Sequence, residues 1–196
     1  MSKPNLFFST PVWTFQISNY ENVNEEMYNY IKSEQKKDGK GITKSNIKGW
    51  HSKDFRLETK EPQNFINLIL PSIEQVMVDM NWEKQKQKIR ISNMWAIINT
   101  GGSANTRHQH GNSTISGAYY VRAPKNSGDI VFYDPRPAPV YTYPNALSPN
   151  LLNAQINGIS PNEGSLVLFP SYLDHSVNEN LSNDERIVIS FNLTIQ

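Results

Sequence analysis

The chain of 196 residues has the length of one folded domain, and its 37% hydrophobic and 11% aromatic content can form a buried core. With 19 Lys and Arg against 18 Asp and Glu, the net charge of +1 gives no electrostatic reason to expect nucleic acid or an anionic membrane as partner. The absence of cysteine excludes disulfides and thiolate ligands, so any metal must be held by nitrogen and oxygen.

The N-terminal half predicts one strand and two helices. Residues 6–17 are rich in aromatic and β-branched side chains and predict a strand that is interrupted at Pro11. Residues 22–37 carry apolar side chains at helical spacing and predict an amphipathic helix. A second helix is predicted over 62–80, where Pro71 should kink the helix or divide it in two.

From about Lys88 the sequence changes to short β-rich runs separated by Gly, Pro, Asn and Ser. This pattern is typical of an antiparallel sandwich or barrel and not of alternating strand–helix units. The predicted strands cover residues 89–99, 115–122, 129–133, 165–169 and 186–195. No linker divides the chain, so we expect 1–196 to be a single domain, with 1–87 as an N-terminal strand and buttressing helices and 88–196 as the β-rich core.

Three of the four histidines indicate a metal site. His108 and His110 are two residues apart, and in an extended segment such residues point to the same face. His175 lies 65 residues further along, which suits a barrel in which distant strands become neighbours. Three imidazoles can hold iron, zinc, copper or nickel and leave coordination positions open for chemistry. Taken alone, a His-x-His pair in a strand is more often part of a polar surface or of a hydrogen-bonded core than a metal site.

A charged residue is predicted on the inward face of the last strand. Alternation over residues 186–192 places Ile187, Ile189 and Phe191 on one face and Arg186 on the other. A guanidinium inside a barrel needs a partner, and a carboxylate bound in two-pronged fashion is the natural one. The alternative is an ordinary salt bridge to Asp134 or Asp174.

The order of these motifs resembles that of the 2-oxoglutarate/Fe(II)-dependent dioxygenases. The resemblance is greatest to small oxygenase-like proteins common in phages and marine bacteria, and it extends more distantly to prolyl 4-hydroxylases. It covers residues 95–192 and rests on motifs in a fixed order: His108-Gln109-His110, Ser116-Gly117-Ala118-Tyr119-Tyr120-Val121, Ser127-Gly128-Asp129-Ile130-Val131-Phe132, Gly164-Ser165-Leu166-Val167-Leu168-Phe169-Pro170, His175 and Arg186.

This resemblance implies a mainly β fold, a double-stranded β-helix (a cupin-like jelly-roll) with flanking N-terminal helices. It implies Fe(II) and 2-oxoglutarate as metal and co-substrate. His108 and His175 match the family's two ligand histidines, and His110 occupies the position of its carboxylate ligand. Arg186 matches the residue that pairs with the far carboxylate of 2-oxoglutarate. Further candidates to bind the co-substrate are Ser190, Tyr119 or Tyr120, and Asn99.

Histidine in place of a carboxylate leaves three alternatives open. The site is a working three-histidine oxygenase, a two-histidine site in which His110 acts on substrate, or a site that has drifted towards binding only. We place the three-histidine alternative first, because strand periodicity puts His110 where the carboxylate would be. Two rival functions are a cupin-like metalloprotein that does not use 2-oxoglutarate and a non-enzymatic jelly-roll binding module.

The expected reaction is hydroxylation of an unidentified peptidyl or small-molecule substrate, with dioxygen consumed and succinate and carbon dioxide released. Segments 45–52 and 134–149 are the expected walls of the substrate site, with His51, Trp50 and Tyr141 as candidate contacts. For each of these three residues a structural role is the preferred interpretation, and for Trp50 that role is to anchor its own loop. The sequence is compatible with a homodimer. It carries no signal peptide or membrane-span pattern, so we expect a soluble, cytoplasmic protein, in a host cytoplasm if viral.

Overall fold

The computed structural model describes residues 4–83, 86–136 and 144–196. Within these ranges the chain forms two helices and eleven strands. In chain order they are β1 (Trp13–Gln16), α1 (Glu21–Lys37), β2 (Asn46–Ile47), β3 (Trp50–His51), α2 (Lys60–Asp79), β4 (Ile89–Asn99), β5 (Ala104–His108), β6 (Ile115–Arg122), β7 (Ile130–Tyr133), β8 (Ile156–Ile159), β9 (Ser165–Pro170), β10 (His175–Val177) and β11 (Arg186–Ile195).

The strands form two antiparallel sheets. The major sheet has the strand order β1-β9-β6-β11-β4-β3, and the minor sheet has the order β2-β5-β10-β7-β8. The longest pairing joins β4 to β11, in register from Arg186 opposite Asn99 to Ile195 opposite Ile89. Neighbours in each sheet come from distant parts of the chain, as in a jelly-roll. The predicted mainly β fold with flanking N-terminal helices is confirmed.

Both helices bury one apolar face in a core that they share with the major sheet. Side chains four residues apart lie on one side of a helix. Met27 and Ile31 of α1, and Phe65, Ile69 and Ile73 of α2, are at most 2% exposed and belong to that core. Each such burial contributes about 1.5–3 kcal/mol of hydrophobic stabilisation. Neither helix of the described ranges combines the length and apolarity that crossing a bilayer requires.

One N-terminal prediction is narrowed and another is corrected. Helix α2 continues through Pro71 and is not divided there. Proline removes one helical hydrogen bond, but Pro71 lies on the exposed side, and the buried face packs on both sides of it. The strand predicted over 6–17 forms only as β1, after Pro11, while Phe7 and Phe8 are exposed outside it.

Alternation along β11 divides the major sheet into two faces. Ile187, Ile189 and Phe191 belong to the core that faces the helices. Val188, on the opposite face, belongs to a second apolar cluster between the two sheets, which also contains Phe132 of the minor sheet. This inner cluster fills only part of the space between the sheets, and the remainder is a cavity. The predicted alternation of β11 is therefore confirmed.

Candidate metal centre and its cavity

The three predicted histidines converge at one end of the minor sheet. His108 ends β5 and lies opposite His175, the first residue of β10. His110 lies two residues beyond the end of β5, where its amide donates to the Ser171 carbonyl at 2.9 Å. One ring nitrogen from each histidine lies within 4.8 Å of the others. The strand ends before His110, so a loop contact and not strand alternation alone brings the third imidazole to the cluster.

Backbone hydrogen bonds orient two of the imidazoles. Nδ1 of His108 lies 2.7 Å from the Thr106 carbonyl, and Nδ1 of His175 lies 3.0 Å from the Leu173 carbonyl. A carbonyl can only accept, so each Nδ1 carries the hydrogen and each Nε2 presents a lone pair. A hydrogen bond of this kind to the second ring nitrogen is typical of metal-binding histidines. The cluster therefore fits a divalent metal ion.

Burial keeps these imidazoles neutral. Burial, with a smaller contribution from the His108 ring, lowers the pKa of His175 to about 3 and that of His110 to about 4. The pKa of His108 is also lowered by burial, and the Thr106 carbonyl and Asp174 partly oppose this shift. A neutral imidazole is the form that binds metal, so protons compete little for the site near pH 7.

Within the described ranges no carboxylate joins the histidine cluster. Asp174 neighbours His175 in sequence, but its Oδ2 accepts from Arg107 at 2.6 Å. Asp134 is paired with Arg136 at 2.6 Å. Both carboxylates are thus engaged by arginines, and the candidate ligands are nitrogen only.

Arg186 is 1% exposed and faces the same cavity as the histidines. Its Nη1 donates to the carbonyls of Ser127 and Gly128, the latter at 2.7 Å. Burial lowers the pKa of this guanidinium, and Tyr120 and Asp129 oppose that shift. In the described part of the chain no carboxylate forms a salt bridge with Arg186, so the alternative of a pair with Asp134 or Asp174 is wrong.

The space beside Arg186 has hydrogen-bond donors without acceptors. The Nε of Arg186 is buried and has no partner among the described residues, and the same is true of Nδ2 of Asn99. The two residues lie opposite each other in the pairing of β11 with β4, and both line the cavity. An unpaired buried donor is unfavourable by about 1–3 kcal/mol. Two such donors beside a buried positive charge match a bound carboxylate.

The cavity between the sheets has a volume of about 700 Å³. It brings together most of the residues proposed from sequence: the cavity is lined by His108, His110, His175, Arg186, Asn99, Ser190 and Tyr120. Burial raises the pKa of Tyr120 to about 12, so its hydroxyl stays protonated and can donate. One cavity thus holds three histidines that could bind a metal ion and, apart from them, a buried guanidinium with unpaired donors.

Tyr119 was also a candidate for co-substrate binding, and the structure excludes it. Its side chain is fully buried in the core that faces the helices, and its hydroxyl donates to Oδ1 of Asn24 at 2.6 Å. Consecutive strand residues point to opposite faces, so only one of Tyr119 and Tyr120 can reach the cavity. That residue is Tyr120, opposite Val188 of β11.

Sequence reasoning assigned no role to Trp95, which lines the cavity with its ring centroid 5.7 Å from that of His110. The period-2 alternation of β4, with Asn93, Trp95, Ile97 and Asn99 on one face, was a signal that could have found it. Of the expected substrate contacts, His51 lines the cavity, while Trp50 is buried and donates to the Asp38 carbonyl, which anchors its loop. Tyr141 lies outside the described residues.

Comparison with known proteins defines the class of this protein. A model of the family described as "Putative 2OG-Fe(II) oxygenase" matches residues 93–192, just over half of the chain. The chain belongs to this family of oxygenases, whose cofactors are Fe(II) and 2-oxoglutarate. A sequence search of curated proteins gives no match.

Solved structures show the same fold at low sequence identity. A prolyl-4-hydroxylase from Pseudomonas putida is 11% identical with a TM-score of 0.64, covering 95% of this chain and 93% of that one. A viral collagen prolyl hydroxylase from Paramecium bursaria Chlorella virus-1 is 12% identical with a TM-score of 0.58, covering 93% and 94%. HygX from Streptomyces hygroscopicus, with nickel and 2-oxoglutarate bound, is 10% identical with a TM-score of 0.64, covering 94% and 83%.

The lowered pKa values predict that acid destabilises the metal-free protein. The folded pKa values of His110 and His175, about 4 and about 3, lie below the unfolded value of 6.5. As pH falls below about 6.5 the unfolded chain binds protons first, so the free energy of unfolding should fall by up to about 1.4 kcal/mol per pH unit for each histidine. Urea unfolding at pH 7, 6 and 5 measures this slope.

The matched control for the pH dependence is the double variant His110→Gln, His175→Gln. It keeps every carboxylate of the chain as well as His51 and His108, whose pKa values are also lowered by burial, so the remaining slope reports those groups. We expect the variant to lose most of the slope between pH 7 and 5. Equal slopes in the two proteins would contradict the assignment of buried, neutral histidines.

Proposed function

We propose that this protein hydroxylates an unidentified peptidyl or small-molecule substrate in a reaction that uses Fe(II), 2-oxoglutarate and dioxygen and releases succinate and carbon dioxide. One observation carries the proposal: three neutral imidazoles share a cavity with a buried guanidinium that has no carboxylate partner among the described residues. In this proposal residues 1–196 act as one unit, in which segment 1–87 supports the catalytic core of 88–196.

His108, His110 and His175 are the proposed metal ligands. Bound Fe(II) supplies the redox chemistry that couples decarboxylation of 2-oxoglutarate to oxidation of the substrate. The chain's contribution is to present the Nε2 lone pairs of His108 and His175 and one ring nitrogen of His110, which would together hold the ion at the cavity. A third imidazole brings no negative charge, so the ion is held less tightly than by two histidines and a carboxylate.

Arg186 and Asn99 are the proposed binding site for the far carboxylate of 2-oxoglutarate. The two residues lie opposite each other on β11 and β4, each has an unpaired buried donor, and the guanidinium contributes the charge. Val188 and Ile97, the next pair of the two strands on the cavity face, are apolar and suit the methylene groups. The protonated hydroxyl of Tyr120 can donate to the same co-substrate.

Ser190 takes a different place in this proposal. It lies four residues from Arg186 on β11, which is about 13 Å along a strand. A five-carbon diacid spans only about 5 Å between its end carbons at ordinary bond lengths. Ser190 is opposite Trp95, whose ring is near His110. If it contacts 2-oxoglutarate, it therefore does so at the metal-binding end.

The decisive experiment is anaerobic addition of Fe(II) and 2-oxoglutarate, followed by oxygen. We expect a visible charge-transfer absorption band before oxygen and succinate afterwards, and neither in the variant His108→Ala. Peptide, nucleotide and small-metabolite pools are then tested for stimulation of succinate formation. Metal-replete protein that gives neither signal would exclude the oxygenase function and leave the two rivals, a cupin-like metalloprotein that does not use 2-oxoglutarate and a non-enzymatic binding module.

The role of Arg186 predicts a selective defect in co-substrate binding. Replacing it by Lys keeps a charge but loses the fork of donors, and a charge-assisted hydrogen bond is worth about 1.5–3 kcal/mol. We expect the KM for 2-oxoglutarate to rise by about 10-fold or more, with little change in metal affinity. The matched control is Arg122→Lys, because Arg122 pairs with Glu25 away from the cavity. A cupin-like enzyme without 2-oxoglutarate predicts equal behaviour of both variants.

The three-histidine and two-histidine alternatives differ in metal affinity. If His110 is a ligand, His110→Ala should weaken Zn(II) or Fe(II) binding more than 10-fold, as measured by competition with a chromophoric chelator without substrate. If His110 acts only on substrate, metal affinity is unchanged while turnover falls. His51→Phe is the control for metal affinity alone, because His51 lines the same cavity but lies outside the histidine cluster.

A further inference from the structure

The remaining histidine lies in the same cavity and takes no part in the metal cluster. His51 is 5% exposed, belongs to β3 and lies opposite Ile97 of β4. Its imidazole stacks on the ring of Trp95 with centroids 5.7 Å apart and an interplanar angle of 7°. The Trp95 ring in turn lies 5.7 Å from that of His110. The stacked pair is therefore next to the candidate metal centre.

The chain holds His51 in one orientation and leaves one acceptor free. Nδ1 donates to the Ser52 carbonyl at 2.7 Å, and the His51 carbonyl accepts from the amide of Ile42 at 2.9 Å. Ser52 is fixed to β4 by two bonds to Ala96, each 2.9 Å long. Among residues 4–83, 86–136 and 144–196, nothing hydrogen-bonds to Nε2 of His51. Because Nδ1 carries the hydrogen, Nε2 is an acceptor.

Trp95 provides a donor beside this acceptor. Its Nε1 is buried and has no partner in the described structure. The indole groups of Trp13 and Trp50 behave differently, since they donate to Asp79 at 2.9 Å and to the Asp38 carbonyl at 2.7 Å. Leaving a buried N–H without an acceptor is unfavourable by about 1–3 kcal/mol. A ligand oxygen in the cavity would remove that penalty.

A chain of hydrogen bonds aligns a second donor on the same strand. Oγ of Ser116 contacts Oγ of Ser171 at 2.9 Å and donates to Oδ1 of Asn192 at 2.7 Å. Nδ2 of Asn192 donates to Oδ1 of Asn93 at 2.9 Å. Because Oδ1 of Asn93 accepts the last of these hydrogen bonds, Nδ2 of Asn93 is the donor at the end of the series. Asn93 lines the cavity two residues from Trp95. Nδ2 of Asn93 is therefore a second donor for a ligand oxygen.

We propose that His51, Trp95 and Asn93 form a subsite for an amide group of the substrate. The amide oxygen accepts from Trp95 Nε1 or Asn93 Nδ2, and the amide N–H donates to His51 Nε2. An ester offers oxygen acceptors only, a carboxylate would face the lone pair of His51, and an ammonium group would face the two donors. This inference rests on the proposed function, because it names the substrate class of the same site.

The placement of charged side chains around the cavity favours a neutral ligand group at the proposed amide subsite. Lys44, Lys53 and Asp54 line the cavity but are exposed. Lys53 is already paired with Asp38 at 2.9 Å. The subsite itself presents two neutral N–H donors and one neutral acceptor, which favours a neutral amide over an ion.

The test uses indole-¹⁵N-labelled protein loaded with Zn(II) and 2-oxoglutarate, which is diamagnetic and does not turn over. The probes are N-methylpropionamide, propionamide and methyl propionate, the ester in which oxygen replaces the N–H. We expect the secondary amide to shift the Trp95 indole signal in a saturable way and to bind at least 10-fold more tightly than the ester. Trp95→Phe assigns the signal, and the engaged indoles of Trp13 and Trp50 are internal controls that should not move.

The two amide probes distinguish a peptide-like secondary amide from a primary carboxamide. His51→Phe keeps a stacked ring but removes the acceptor, so the preference for amide over ester should fall to about 1-fold. Equal affinities for amide and ester in the unaltered protein, an unchanged Trp95 signal, or equal shifts of Trp13 and Trp50 would each overturn the subsite. Succinate formation is measured separately with Fe(II), so loss of the subsite and loss of the oxygenase function give different results.

Discussion

The pairing of β11 with β4 and β6 at the centre of the major sheet is the constraint on which the other features depend. Its outward side chains, Ile187, Ile189 and Phe191, are fully buried against the helices. Its inward side chains, including Arg186 and Ser190, face the cavity. A slip of one residue would exchange the two faces, so the apolar contact with the helices fixes the position of the guanidinium. In the described ranges no helix residue lines the cavity. Packing against the helices nevertheless determines which face of β11 is turned towards the cavity.

The chemistry of the candidate metal site also depends on its lack of a carboxylate ligand among the described residues. Asp174 is the carboxylate closest in sequence to a histidine of the cluster, and Arg107 engages it. A metal ion held by these three neutral imidazoles would therefore have no protein anion from the described residues among its ligands. In the proposed function the co-substrate supplies that negative charge, and Arg186 balances its far end. Binding of metal and of 2-oxoglutarate should thus stabilise each other through charge.

The cavity-lining residues of β4 lie in order along the strand, from the co-substrate site to the proposed amide subsite. Along β4, Asn99 lies at the end near Arg186, Ile97 follows, and Trp95 lies level with the histidine cluster. Asn93 lies on the far side of Trp95. The co-substrate site lies at the Asn99 end of this strand face, and the proposed amide subsite extends from His51, opposite Ile97, to Asn93. Rigid strands hold both ends relative to the metal centre, which is what oxidation at a single position requires.

The sequence by itself determined features that are local or chemical. The bounds of β4, β6 and β11 agree with prediction, since alternating apolar runs bounded by turn residues depend on neighbouring residues only. The absence of cysteine and the spacing of the histidines limited any metal site to nitrogen and oxygen ligands. The tertiary structure decided the rest: that His110 approaches through a loop, that Tyr120 and not Tyr119 faces the cavity, and that His51 stacks on Trp95. These contacts join distant segments, and their register follows from packing of the whole sheet, which no local pattern encodes.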